Sequence, residues 1–144
     1  MELKMTIAEV TAFLAKEFPQ IDGDFEVVSL AQGAVVVRMR VQERHLRPGG
    51  TVSGPSMFAL ADVSYYIATL ALIGPEALTV TTNCSIDFMR KPAAHRDMIG
   101  KARVLKLGRT LSVGDVMLYS EGIAEPVAHA NLTYSIPPAT SSRG

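Results

Sequence analysis

Between Pro55 and Ile73 runs PSMFALADVSYYIATLALI, nineteen residues apolar almost all round and closed by Gly74 and Pro75 in the order that ends helices. A helix of that length rises about 28 Å, close to the hydrocarbon thickness of a bilayer, so a membrane span and a buried core helix are the two outcomes open to it. The context selects the second. Asp62, Ser56, Ser64, Thr69 and two tyrosines interrupt the run, no other segment is comparably apolar, and the flanks read as strands that need a sheet in water. A soluble helix apolar on every side is wrapped by a sheet on one side and met by something apolar on the other, here expected to be a second subunit.

The rest of the chain supplies that sheet. Phe25 to Leu30 and Ala34 to Val41 are β-rich runs joined at Gln32-Gly33, a hairpin turn signal. Four more runs follow the central helix, Ala77 to Phe88, Met98 to Leu107, Thr110 to Ser120 and Ile123 to Ser135, with turn signals at Leu107-Gly108 and Glu121-Gly122. Connections this short favour antiparallel pairing. At the N-terminus Thr6 and Glu9 form a capping box, and Ile7, Val10, Leu14 and Phe18 recur at helical spacing before Pro19, which predicts a helix over 6–18. Residues 137–144 lack apolar periodicity and are expected to fray.

With 144 residues, no repeat and no linker, the chain reads as one domain over 1–144, large enough for a hydrophobic core without staples. Fourteen Lys plus Arg balance fourteen Asp plus Glu, so no general field favours nucleic acid or an anionic membrane, and neither is expected as a partner. Cys84 is the single cysteine, which excludes an internal disulfide and suits a cytoplasmic location.

Among Asp, Glu, Lys, Arg and His, only Asp62 occurs from Pro48 to Pro75. A carboxylate in an apolar setting must be paired, hydrogen-bonded or open to a water-filled pocket, so Asp62 is either a base or nucleophile or a group satisfied by donors around it. Other chemistries lack their patterns. Gly54-Pro55-Ser56-Met57-Phe58 begins like a nucleophile elbow but has no second glycine, and His45, His95 and His129 lack metal-ligand spacing. No metal site is expected. Cys84, within an alternating strand, reads as a small buried thiol.

The stretches HLRPGGTVSGPSMFALADVSYYIA, LTVTTNCSIDFMRKPA and ARVLKLGRTLSVGDVML resemble the hotdog-fold acyl-CoA thioesterases of the phenylacetic-acid-pathway (PaaI) type, from about Phe25 to Tyr134. The resemblance implies an α+β hotdog fold, an antiparallel sheet wrapped around the long central helix, assembled as a homodimer or a homotetramer built as a dimer of dimers. Leu60-Ala61-Asp62 stands at the family's catalytic acid, and Gly54 at the glycine whose N–H polarises the thioester carbonyl. Phe88, Arg90 and Pro92 match the strand end with Lys91 inserted, and Gly108-Arg109 match the last motif. Ser53 replaces the family's His, Pro55 its second glycine and Arg47 its Asn.

The implied function is hydrolysis of an acyl-CoA-like thioester, with Asp62 as general base or nucleophile and no cofactor beyond the coenzyme A of the substrate. Thr81 could place a hydroxyl on water or substrate, or be a plain strand residue. Arg47, Ser53, Arg90, Lys91, Gly108 and Arg109 are candidates for substrate binding, the cations toward phosphates. A non-catalytic hotdog binding an acyl-CoA or another carboxylic ligand, and a hydratase or dehydratase, are the alternatives. Gly54 and Asp62 lie eight positions apart, about 12 Å along one helix, so both can serve one reacting centre only if the site is shared between two chains.

Overall fold

The computed structural model describes residues 2–21 and 23–138; the predicted tail beyond Pro138 lies outside them. Helix α1 (Ile7–Glu17) starts from the expected capping box, with the Glu9 N–H donating to Thr6 Oγ1 at 3.1 Å and the Thr6 N–H to Glu9 Oε1 at 2.9 Å. Of its apolar stripe only Val10 and Leu14 are buried. Strands β1 (Phe25–Ala31) and β2 (Ala34–Met39) leave Gln32-Gly33 as the two-residue turn, with Gly33 at φ 71°, a conformation that glycine adopts without steric cost.

Helix α2 (Gly54–Ile73) begins one residue earlier than predicted, because Ser53 is extended and caps it, its Oγ accepting from the Ser56 N–H at 3.3 Å. Strands β3 (Val80–Phe88), β4 (Met98–Leu107), β5 (Leu111–Ser120) and β6 (Ala128–Ser135) complete one antiparallel sheet in the order β1-β2-β4-β5-β6-β3. Strand β2 ends two residues before the predicted Val41, β5 starts one residue after the predicted Thr110, and β3 and β6 start three and five residues later than predicted. Ala77–Thr79 forms a turn closed by the Thr79 N–H on the Glu76 carbonyl at 3.1 Å, and the segment before β6 contains Pro126, which has no N–H for a ladder.

The sheet wraps α2 closely at two glycines. A Cβ at Gly100 would stand 2.5 Å from Ser64 Oγ, and one at Gly114 2.5 Å from Tyr65 Cε1, so neither position has room for a side chain. Where polar groups enter this core they meet one another: Ser112 Oγ lies 2.9 Å from Tyr65 OH and 3.0 Å from Thr69 Oγ1.

The all-round apolarity of α2 has a different cause from the one expected along most of its length. From Leu60 to Leu72 every residue except Asp62 is buried within a single chain, because α1 and the segment leading into it cover what the sheet does not. The Lys4 N–H donates to the Ala71 carbonyl at 2.7 Å, and the Phe18 ring meets Tyr66 edge-on at 6.3 Å. What stays uncovered is a short stripe near the helix start, Pro55, Phe58, Ala59 and Asp62, spaced as one helical face. By length and composition α2 could cross a membrane, but 72% of its most apolar window is buried inside the fold.

Candidate active site

Asp62 is the polar end of that uncovered stripe. Its Oδ1 accepts from Thr81 Oγ1 at 2.7 Å and from the Tyr134 hydroxyl at 2.5 Å, and the same hydroxyl lies 3.0 Å from the Asp62 carbonyl oxygen. The two donors come from neighbouring strands at one end of the sheet, where β3 and β6 place Thr81 opposite Tyr134. Burial first, then the charge and hydrogen bond of Asp62, hold the Tyr134 phenol far above its ordinary range, so it stays protonated and donates. Thr81 is thus engaged with the acid rather than being a plain strand residue.

These three residues line a cavity of about 600 Å³ that extends past Tyr66 to Phe18 and Glu17 at the end of α1. Its walls between the polar ends are apolar, including Ala59, Val63 and Val80. Cys84 lies nearby, half-buried, its thiol pushed up first by burial and then by the Asp62 charge, which disfavours the reactive thiolate.

A second cavity, of about 380 Å³, gathers Gly54, Arg47, Arg90 and Lys91 with Thr51 and Phe88. The loop carrying Arg47 is closed by the Arg47 N–H on the Thr51 carbonyl at 2.8 Å and the Gly50 N–H on the Arg47 carbonyl at 3.0 Å. That tight turn uses Gly49 and Gly50 at φ 106° and 85°. The Gly54 N–H, first in the helix, has no acceptor among the described residues, and Pro55 behind it needs none. Arg90 is braced by its Nε on the Pro126 carbonyl at 2.9 Å.

The residues singled out in the sequence therefore separate into two groups. Asp62 and Thr81 share one cavity, while Gly54, Arg47, Arg90 and Lys91 share another. Ser53 is occupied as the cap of α2 and, like Gly108 and Arg109 at the β4–β5 turn, lines neither. Tyr134 was missed. It is one of several alternating residues in a β-rich run, and only the strand order brings it to Asp62. Among the described residues no cluster of His, Cys, Asp or Glu is arranged to hold a metal ion.

An antiparallel sheet curled around one long helix, with an open cavity at a helix carboxylate, is the hotdog arrangement. The profile of the thioesterase superfamily matches residues 49–127. Human acyl-coenzyme A thioesterase 13 is 31% identical over 121 residues, 83% of this chain and 84% of that protein. A provisionally named thioesterase from Silicibacter sp. TM1040 superposes at a TM-score of 0.90, with 62% identity over 96% of each chain. A mutant form of the phenylacetic acid degradation protein PaaI from Thermus thermophilus gives 0.71 and 29% identity, covering 83% of this chain and 99% of that one. The chain belongs to the thioesterase superfamily: it is a hotdog-fold thioesterase, an enzyme of the hydrolase class.

Proposed function

We propose that the protein hydrolyses an acyl-CoA thioester at sites shared between two copies of the chain. The observation that carries this reading is the Asp62 carboxylate, held by two hydroxyl donors at the wall of an open, largely apolar cavity. With one oxygen fixed by Thr81 and Tyr134, the other is left for the reaction. As general base it takes a proton from water while the resulting hydroxide adds to the thioester carbonyl; as nucleophile it adds itself, forming an anhydride that water then opens. In either course the C–S bond breaks and coenzyme A leaves as a thiolate, which needs no strong acid.

The developing oxyanion needs a donor, and the free Gly54 N–H at the positive end of α2 suits it. Within one chain that N–H opens on the other cavity, about 12 Å from Asp62 along the helix. A twofold pairing would bring Gly54 of one copy to Asp62 of the next. Two features support such a pairing. The stripe of Pro55, Phe58 and Ala59 is uncovered, and β3 is an edge strand with exposed Leu78, Val80, Phe88 and Met89 at and beside its two ends, a template for a second copy. Arg47, Arg90 and Lys91 beside Gly54 then suit the phosphates of coenzyme A. The substrate class also agrees with the human relative, which is named for acyl-coenzyme A. In this reading the enzyme is a cytoplasmic homo-oligomer that needs no further cofactor.

A panel of acyl-CoA esters read by thiol release, run beside direct binding of coenzyme A, tests the proposal. Turnover that falls by about a hundredfold or more in Asp62→Asn, with the fold retained, is the expected result. Binding of coenzyme A without turnover of any ester would make the protein a carrier instead.

A further inference from the structure

The two cavities differ in sign. Among the described residues, the one at Gly54 contains Arg47, Arg90 and Lys91 and no acid, whereas the one at Asp62 contains Asp62 and Glu17 and no Lys, Arg or His. Under the thioesterase reading the acyl group occupies the Asp62 cavity, with its carbonyl at Asp62. Its far end then runs toward Tyr66, one helical turn or about 6 Å along α2, and onward to the last turn of α1. Phe18 fixes that turn against Tyr66, and its N–H closes the helix on the Leu14 carbonyl at 2.8 Å.

Glu17 stands at this distal wall with Gln20 beside it. Its charge is felt at Tyr66, whose phenol is raised first by burial and then by Glu17. Lys16, the adjacent cation, forms no part of the wall. We infer that Glu17 is a specificity determinant that makes the acyl cavity reject acyl groups ending in a carboxylate, so that the enzyme takes neutral monocarboxylic acyl esters and discriminates against the monothioesters of dicarboxylic acids. A terminal carboxylate would approach a like charge with no cation among the described residues of that wall to offset it, whereas a methyl, ring or hydroxyl terminus would meet apolar wall or a hydrogen-bond acceptor.

Hexanoyl-CoA and adipyl-CoA share a six-carbon chain and differ at its end, so their ratio of kcat/KM isolates the effect. The wild type should favour hexanoyl-CoA by about tenfold or more, ~1.4 kcal/mol, and less so at high salt. Glu17→Gln should lower that ratio severalfold, and Glu17→Lys should lower it further by supplying the missing cation. Glu17 is exposed in the last turn of α1, where a cation suits the helix dipole, so neither change threatens the fold. Equal use of both esters by the wild type, or a ratio that Glu17→Gln leaves unchanged, overturns the inference. If neither ester is turned over, the thioesterase reading fails separately, and the Kd ratio of the two esters decides on Glu17: a preference for hexanoyl-CoA that Glu17→Gln removes upholds the inference, and equal Kd values or no binding of either ester overturns it.

Discussion

Tyr134 and Asp62, 72 positions apart in sequence, meet at 2.5 Å, and the Tyr134 hydroxyl also lies 3.0 Å from the Asp62 backbone carbonyl. One phenol therefore fixes both the carboxylate and the turn of helix that carries it, while Thr81 fixes the same Oδ1 from β3. A carboxylate held this way loses little orientational freedom on reaction, which is the advantage a positioned base requires.

Removing these donors should slow the chemistry more than it weakens binding. For Tyr134→Phe and Thr81→Val we expect kcat to fall roughly tenfold, the equivalent of one charge-assisted hydrogen bond, with KM changed less. Thr81→Ser should recover much of the loss, since it restores the hydroxyl. Steady-state kinetics on a single acyl-CoA ester checks this. A loss in Thr81→Ser with none in Thr81→Val would show that the methyl matters and the hydroxyl does not.

Gly54→Pro deletes the N–H proposed to receive the oxyanion. The backbone suits proline: Ser53 is already extended, as a residue before proline prefers, and the nearest atom to a Cβ at position 54 is Phe88 Cζ at 3.6 Å. Both Gly54→Pro and Asp62→Asn should be inactive alone. Mixed after denaturation and refolding, they should form oligomers with one working site in two, and thiol release should return to about a quarter of the wild-type rate for random dimers, half of them mixed. Absence of any recovery, with mixed oligomers demonstrated, would place both residues in one subunit's site.

Arg47→Ala and Lys91→Ala test the basic cavity. Each should raise KM severalfold for a full coenzyme A ester, more at low ionic strength than at high, because exposed charge pairs are screened. A truncated thioester lacking the nucleotide should show no such change. If KM for the full ester is unmoved in both variants, the phosphates bind elsewhere.

On the outer face of the sheet, Asp115 on β5 is held by Arg103 from β4 at 3.0 and 3.1 Å and by His129 from β6 at 3.0 Å. Burial would raise its pKa, but the hydrogen bonds and charges of Arg103 and His129 outweigh it and leave the carboxyl below its ordinary value. A carboxylate lowered in the folded state adds stability above its unfolded pKa of about 4, and that stability disappears as pH falls through the folded value. Denaturant midpoints should therefore show Asp115→Asn less stable than wild type at pH 7, with the gap closing below about pH 4. A gap independent of pH would assign the loss to packing rather than charge.

How much of this was legible in the sequence divides along the range of the interactions. The long helix, its single acid, the capping box at Thr6 and the turn at Gln32-Gly33 depend on residues within a few positions of one another, so local pattern determined them. The order of matched motifs from Gly54 to Arg109 likewise pointed to the hotdog fold before any coordinates. The tertiary structure alone decided what surrounds the acid. Strand β3 crosses the sheet to pair with β6 instead of β4, which follows it in sequence, and that crossing is what sets Thr81 and Tyr134 together at Asp62. It also decided that α1 returns to cover α2 and ends at the cavity wall, and that Gly100 and Gly114 lie directly beneath side chains of the helix. These contacts join residues distant in sequence through a core that must close as a unit, and no spacing along the chain encodes which of several alternating strand residues will face the one charge on the central helix.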